Sequence, residues 1–365
     1  VTAVIPDPLV VEVEPGVFAA PPRPRQPFRK ISGLLPEEWV EYAIALAAGT
    51  HLALLLRYLL DWDDILGTAV VSLLAFLVFH YAVVRARSTP EIAIDKAVTT
   101  VMWVIGTGIV ALLGWMVVFV ATKGVKVLNL TFLREDLADV GPLDPGGGAF
   151  HAIVGTFQQV GIATLFAIPV SILTAVYLHE IKGRMSGIIR FIVDALSGLP
   201  SIVAGLLVFT IMPGFAGYKA SIALFIIALP IVTRTAEEVL RTVPDGLREA
   251  SLALGAPQWR VVLRVVLPTA RAGLVTATLL AVARITGETA PVILTAFGSS
   301  SLNLNPFSGT QSSLPLFVWD LIKVPDQNQN DRAWAGALVL LVIVLVAFAA
   351  ARITLARSER KLGRR

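Results

Sequence analysis

Eight stretches of this chain, each about twenty residues long, carry almost no charge, and no other feature restricts its fold as severely. They run from Trp39 to Leu60, Ile65 to Val84, Ala97 to Ala121, Phe150 to Leu178, Phe191 to Met212, Gly214 to Thr233, Gly273 to Phe297 and Trp334 to Ala351. A helix of about twenty residues spans a hydrocarbon core of about 30 Å and satisfies its own backbone hydrogen bonds there. The expectation is an all-α membrane protein with about eight transmembrane helices. The unbroken apolar part of the sixth stretch is short and begins only after Lys219. Composition agrees: at 56% hydrophobic and 15% charged, 365 residues leave too little polar surface to coat a water-soluble globule.

Basic residues accumulate on the cytoplasmic side of such membranes. With an even number of spans and both termini cytoplasmic, 22 of the 30 lysines and arginines fall on inside segments. The opposite face receives Lys123, Lys126, Arg134, Lys219, Lys323 and Arg332, while Arg57 and Arg284 lie within spans. The net charge of +4 reflects this asymmetry, and nucleic acid need not be invoked. Multi-pass residence in the cytoplasmic membrane follows, with lipid as solvent. Longer outside segments are expected over Thr122 to Ala149 and Gly298 to Ala333.

Residues 1–38 hold eight prolines and no long apolar run, so a disordered cytoplasmic tail is expected, with insertion driven by the first span. Cysteine is absent, which removes disulfides and thiolate chemistry. Four scattered histidines, His51, His80, His151 and His179, suggest no metal site, and no hydrolase motif is visible. No Gly-x-x-x-x-Gly-Lys-[Ser/Thr] loop occurs either, so the chain has no visible means of hydrolysing a nucleotide. If it pumps, another polypeptide is the engine.

Between the sixth and seventh spans the sequence reads as helix, turn, helix. Pro244 and Asp245 open the first helix, Gly255 supplies the left-handed position that ends it, and Pro257 suits the first turn of the next. Leu247, Ala250, Ser251 and Leu254 share one face, with Arg248 and Glu249 displaced from it. Such a face suits docking into a groove on a partner. The spacing Glu249-Ala250-Ser251, three residues, Gly255, nine residues, Val265, one residue, Leu267-Pro268 resembles the EAA loop of ABC-importer permeases. Ser251 and Val265 depart from that pattern by small, shape-conserving changes. The resemblance implies that this loop, within a cytoplasmic segment 234–271, couples the membrane helices to a separate ATPase through Glu249, Ala250, Ser251, Leu254 and Gly255. A plain amphipathic connector is the competing reading.

Two further segments, Leu196-Ser-Gly-Leu-Pro-Ser201-Ile-Val-Ala-Gly205 and Arg284-Ile-Thr-Gly287-Glu288-Thr289-Ala-Pro291, are similar to PstA-type permeases of phosphate ABC importers. Arg284 and Glu288 are four apart, hence on one helical face near mid-span, where a lone charge costs at least about 2.5–3.5 kcal/mol on insertion scales. They should be paired or line a wet cavity. An arginine fork offers several donors to an oxyanion, and Thr289 adds a hydroxyl. A buried ion pair that only holds helices together is the bland alternative.

The resemblance runs from about Asp95 to the end. It implies a six-helix type I permease core over 97–357, preceded by an additional hairpin and linker over 39–96 and followed by a basic tail over 358–365. It further implies a non-catalytic subunit, with Arg284, Glu288, Thr289 and Ser201 on the phosphate pathway. A PstC-type sister permease, a PstB-type ATPase dimer carrying ATP and Mg²⁺, and a PstS-type external phosphate-binding protein complete the expected complex. Chemistry alone leaves other readings open. They are a molybdate or sulfate permease, an intramembrane enzyme using Glu288 or Asp194, and a scaffold or sensor that recruits a protein through the loop.

Overall fold

The structure is a computed structural model and describes residues 36–141 and 143–362. All but the last three residues of the tail expected over 1–38 therefore lie outside the described residues, as does the end of the tail expected over 358–365. Among the described residues the fold is all-helical, apart from two isolated bridges. Seven of these helices are long and apolar enough to cross a membrane, or eight if one sharply bent pair counts as a span.

Two compact units divide the chain, residues 1–113 and 114–365. The first holds α1 (Pro36–Leu59), α2 (Ile65–Arg87) and the beginning of α3 (Pro90–Gly124). Asp64 starts α2 by accepting the amides of Leu66 and Gly67 at 3.0 and 2.9 Å. The pair α1 and α2 approaches closely at Gly49, where a Cβ would lie 2.6 Å from the Phe76 nitrogen. Beside this crossing the Tyr42 and His80 rings stack at 4.5 Å. Lys96 bridges Glu38 and Glu41, both at 3.3 Å.

The second unit contains α4 (Phe150–Val176), α5 (Ser186–Ser197), α6 (Ser201–Ile211), α7 (Gly217–Arg241), α8 (Asp245–Ala253), α9 (Gln258–Val261), α10 (Leu267–Thr286), α11 (Ala290–Thr295), α12 (Leu314–Ile322) and α13 (Gln327–Leu362). Single π-helical turns extend α4 over Tyr177–Ile181 and join α9 to α10 over Val262–Val266. Every fourth residue of α4 from Gly155 through Gln159, Ala163, Ala167 and Ser171 to Ala175 is buried. This narrow stripe packs on α7, where Ala220, Leu224 and Ala228 share its core. Small residues let the backbones approach, which is how helices gain contact in a solvent as apolar as themselves. Ser171 adds a bond across the seam, donating to the Leu229 carbonyl at 3.1 Å.

At one end of this unit α4, α7, α9 and α10 enclose a core of Val176, Leu240, Val243, Val261, Val262 and Val266. At the other, Phe132, Leu314, Phe317 and Leu321 pack under the segments that precede α4 and follow α11. There Arg332, buried in α13, donates to the carbonyls of Gly146 (2.8 Å) and Asp144. Gln311 donates to Gln158 at 2.5 Å and accepts from Gln159 at 3.1 Å, fixing the loop after α11 to α4.

Two sequence expectations change. The stretch from Phe191 to Met212 is not one straight span: α5 and α6 meet at 106°. Gly198 caps α5, and Pro200, which has no N–H and disfavours helix in the residue before it, forces a new start. The stretch from Gly273 to Phe297 also breaks, α10 ending at Thr286 and α11 beginning at Ala290. Residues 298–333 also contain a short helix, α12, whose Leu314, Leu316, Phe317 and Leu321 are buried. At nine residues it is too short for any membrane-span criterion to register.

Candidate functional site

The two breaks belong together. α6 has eleven residues and α11 has six, so the longer covers roughly 16 Å, half of a hydrocarbon core. They pack where Gly205 faces Pro291: a Cβ on Gly205 would lie 2.6 Å from the Pro291 Cα. The two sequence segments that resemble phosphate permeases are therefore in direct contact through their broken helices. Irregular backbone at membrane depth persists only where protein buries it or it lines a wet cavity.

Around these breaks lie the four residues expected on a pathway. Ser201 is the first residue of α6 and is half-buried. Arg284 sits in the last turn of α10 and is exposed, while Glu288 and Thr289 occupy the break and are half-buried. The single helical face expected for Arg284 and Glu288 is not formed. Gly287 caps α10, and Pro291 has no N–H to offer the Gly287 carbonyl, so Glu288 lies beyond the helix. No ion pair joins Arg284 to Glu288, and none of the four side chains has a hydrogen-bond partner among the described residues. Arg284 is thus exposed, with its donors unused among the described residues. Asp194, by contrast, is engaged by Arg234 at 2.6 Å. A cavity of about 230 Å³ between α4, α10 and α13, lined by Val160, Leu279, Val282 and Ile343 among others, includes none of the four.

The helix–turn–helix expected between spans six and seven is present as α8 and α9. Pro244 precedes α8, and Gly255, at φ +79°, follows its end in the left-handed region. Pro257 precedes α9 in an extended conformation. No residue of α8 is buried: Leu247, Glu249, Ala250, Leu252 and Leu254 are exposed, Leu254 at 88%, and Ser251 is half-buried. The face read from the sequence is thus open to a partner.

Sequence reasoning missed what holds this hairpin. Arg248 turns inward from α8 to Glu180 in the π turn of α4, its Nη2 2.8 Å from Oε1 and its Nε 3.2 Å from both carboxylate oxygens. It also donates to the carbonyls of Val243 at 2.6 Å and Leu240 at 2.8 Å and to Asp245 at 2.9 Å. The Glu180 hydrogen bond pushes the Arg248 pKa above the ordinary arginine value, so its charge is permanent. Gln258 completes the contact, donating to the Glu180 carbonyl at 2.7 Å. No local pattern could have paired positions 68 residues apart.

Long apolar helices of spanning length, with two short helices after breaks and an exposed helical hairpin, are the architecture of a multi-pass membrane protein. Residues 167–361 match the family described as the binding-protein-dependent transport system inner membrane component. The chain belongs to that family. It is similar to the phosphate transport system permease protein PstA 1 of Mycobacterium tuberculosis, with 41% identity over 68% of this chain and 84% of the relative. It is also similar to the phosphate transport system permease protein PstA of Pasteurella multocida, with 36% identity over 66% of this chain and 86% of the relative. Among solved structures, the inward-facing MetNI methionine ABC transporter is similar with a TM-score of 0.46 and 22% identity, over 57% of this chain and 94% of that one.

Proposed function

We propose that this chain is the transmembrane permease subunit of an ATP-driven importer of inorganic phosphate and forms half of its translocation pathway. The observation that carries the reading is Arg284: an exposed guanidinium at the end of a membrane helix, beside two broken helices, with no partner among the described residues. Such a guanidinium is stable in a membrane only when it meets water, an anion or another subunit. Its planar fork matches the oxygens of a phosphate, Thr289 and Ser201 add hydroxyls, and Glu288 limits how tightly an anion is held. The names of the 36–41% identical relatives favour phosphate over molybdate or sulfate.

The rest of the complex follows from the same reading. A PstC-type sister permease completes the pathway opposite Arg284. A PstB-type ATPase dimer, with its ATP and Mg²⁺, docks on the exposed face of α8, where Glu249, Ala250, Ser251, Leu254 and Gly255 form the coupling element. That end carries Arg241, Arg248, Arg260, Arg264 and Arg271, which supports reading it as the cytoplasmic side, with both termini on that side. A PstS-type phosphate-binding protein meets the opposite end. The permease domain covers 97–357, and the hairpin over 39–96 is an addition to it. The test is reconstitution of the four components in liposomes, with ATP inside and labelled phosphate and binding protein outside, counting the label taken into the lumen. Uptake that needs ATP and binding protein and resists excess molybdate and sulfate is expected; equal competition by either anion would reassign the substrate.

A further inference from the structure

The hairpin of α8 and α9 is joined by the chain only to α7 and α10, yet its strongest polar contact is to a third helix. α4 leaves regular geometry at its end: the π turn Tyr177–Ile181 closes on Lys182, which is left-handed at φ 50° and donates its amide to the Tyr177 carbonyl at 3.0 Å. Such a turn re-aims the residues it contains, and π turns inside α-helices recur at functional positions. Here it directs Glu180 inward, leaving the side chain 8% exposed against Arg248 at 13%. One carboxylate and one carbonyl then hold both helices of the hairpin, α8 through Arg248 and α9 through Gln258. The second π turn, Val262–Val266, lies directly beyond α9, and its Val262 and Val266 pack with Val176 of α4 in one core. The hairpin is therefore a stiff piece between two irregular turns, gripped by the end of α4.

α4 in turn runs the length of the unit. Its small-residue stripe follows α7, and at its far end Thr156 accepts the Leu314 amide at 2.8 Å while Gln159 donates to Gln311. A displacement of the hairpin thus has a path to the loop after α11 that bypasses both covalent connections. We propose that Glu180 is a positioning residue for transport: through Arg248 and Gln258 it makes α4 a third output of the hairpin, alongside α7 and α10. This rests on the reading of the hairpin as the ATPase dock. Charged, buried bonds suit the role because a paired guanidinium and carboxylate in a dry site resist separation more than apolar contact does.

The experiment uses the whole reconstituted complex and reads two rates, ATP hydrolysis stimulated by the loaded binding protein and phosphate uptake. Glu180→Ala is expected to lower uptake per ATP roughly tenfold while hydrolysis stays within about twofold, with Glu180→Asp recovering part of the ratio. If Glu180→Ala fails to assemble, Glu180→Gln keeps the shape and one acceptor and is read the same way. Hydrolysis and uptake that fall together, in step with complex yield, would make the contact structural and overturn the proposal. So would an unchanged ratio. Gly255→Val separates the two readings. If it blocks uptake while Glu180→Ala keeps the wild-type ratio, the dock stands and the α4 connection is wrong; if it has no effect, the dock itself is wrong and the connection falls with it.

Discussion

Gly205 and Pro291 meet backbone to backbone, so that a Cβ on the glycine would lie 2.6 Å from the proline Cα and 2.9 Å from its carbonyl oxygen. Each residue belongs to a helix too short to cross a membrane, and each helix follows a break that the sequence makes with proline or glycine. The contact fixes the start of α6, with Ser201, against the start of α11, with Glu288 and Thr289 just before it. The geometry of the proposed anion pathway therefore depends on a position that carries no chemistry of its own.

Gly205→Ala tests that dependence. The added methyl meets backbone rather than a mobile side chain, and overpacking of this kind costs about 1–3 kcal/mol. The complex should still assemble, with a lower melting temperature and phosphate uptake reduced more than its yield. Uptake that merely follows yield would show that α6 and α11 need not meet this closely for transport.

Gly255 is a different case, because the space around it is open and a Cβ there meets nothing within 4 Å. Bulk is therefore harmless, and only the φ of +79° matters. Left-handed backbone costs an ordinary residue about 1–2 kcal/mol, more for a β-branched one and less for asparagine. Gly255→Val should uncouple or block uptake, whereas Gly255→Asn should retain most of it. Equal loss in both would mean that the turn needs glycine for contact with the partner and not for its conformation.

Spacing made the membrane helices and the α8 to α9 hairpin legible, since both depend on local pattern: apolar length for the spans, and Pro244, Gly255 and Pro257 for the turn. The bend between α5 and α6 was signalled by Gly198 and Pro200 but hidden by unbroken hydropathy, which registers length and not direction. The break after Thr286 was hidden in the same way, and it undid the expected helical face of Arg284 and Glu288. Glu180 and Arg248 were invisible for another reason: only the fold brings positions so distant in the chain together. α12 escaped because its nine residues, though apolar, are too few to register as a membrane span.

Deleting Val1 to Pro90 removes α1 and α2 and keeps α3 and everything after it. The family match begins at residue 167, and the deletion leaves an even number of spans if α5 and α6 count as one. Its local penalties are the loss of Glu38 and Glu41 from Lys96, which is 31% exposed, and of the Tyr42 hydroxyl from Thr100. Phosphate uptake by the truncated complex should remain within a few-fold of the full chain, roughly in line with its yield. Normal insertion and assembly with uptake lost would make the first two helices part of the transport cycle.

Arg284 decides between a pathway and a helix-end role, because its place in the last turn of α10 also complements the helix dipole, worth about 0.3–1 kcal/mol. A dipole needs only positive charge, so on that account Arg284→Lys behaves as wild type and Arg284→Gln loses a little stability. A phosphate contact needs the fork as well, which lysine lacks. Arg284→Gln should then abolish uptake with assembly intact, and Arg284→Lys should transport at a reduced rate. Removing the arginine strands no carboxylate among the described residues, since Glu288 is not bonded to it. The large penalty of breaking a buried ion pair, about 3–5 kcal/mol, is therefore not expected from this subunit alone. Failure to assemble would place the partner of Arg284 on the sister permease and make it an interface residue. Phosphate uptake, complex yield and melting temperature measured on both variants separate these outcomes, and wild-type uptake in Arg284→Gln would withdraw the pathway assignment.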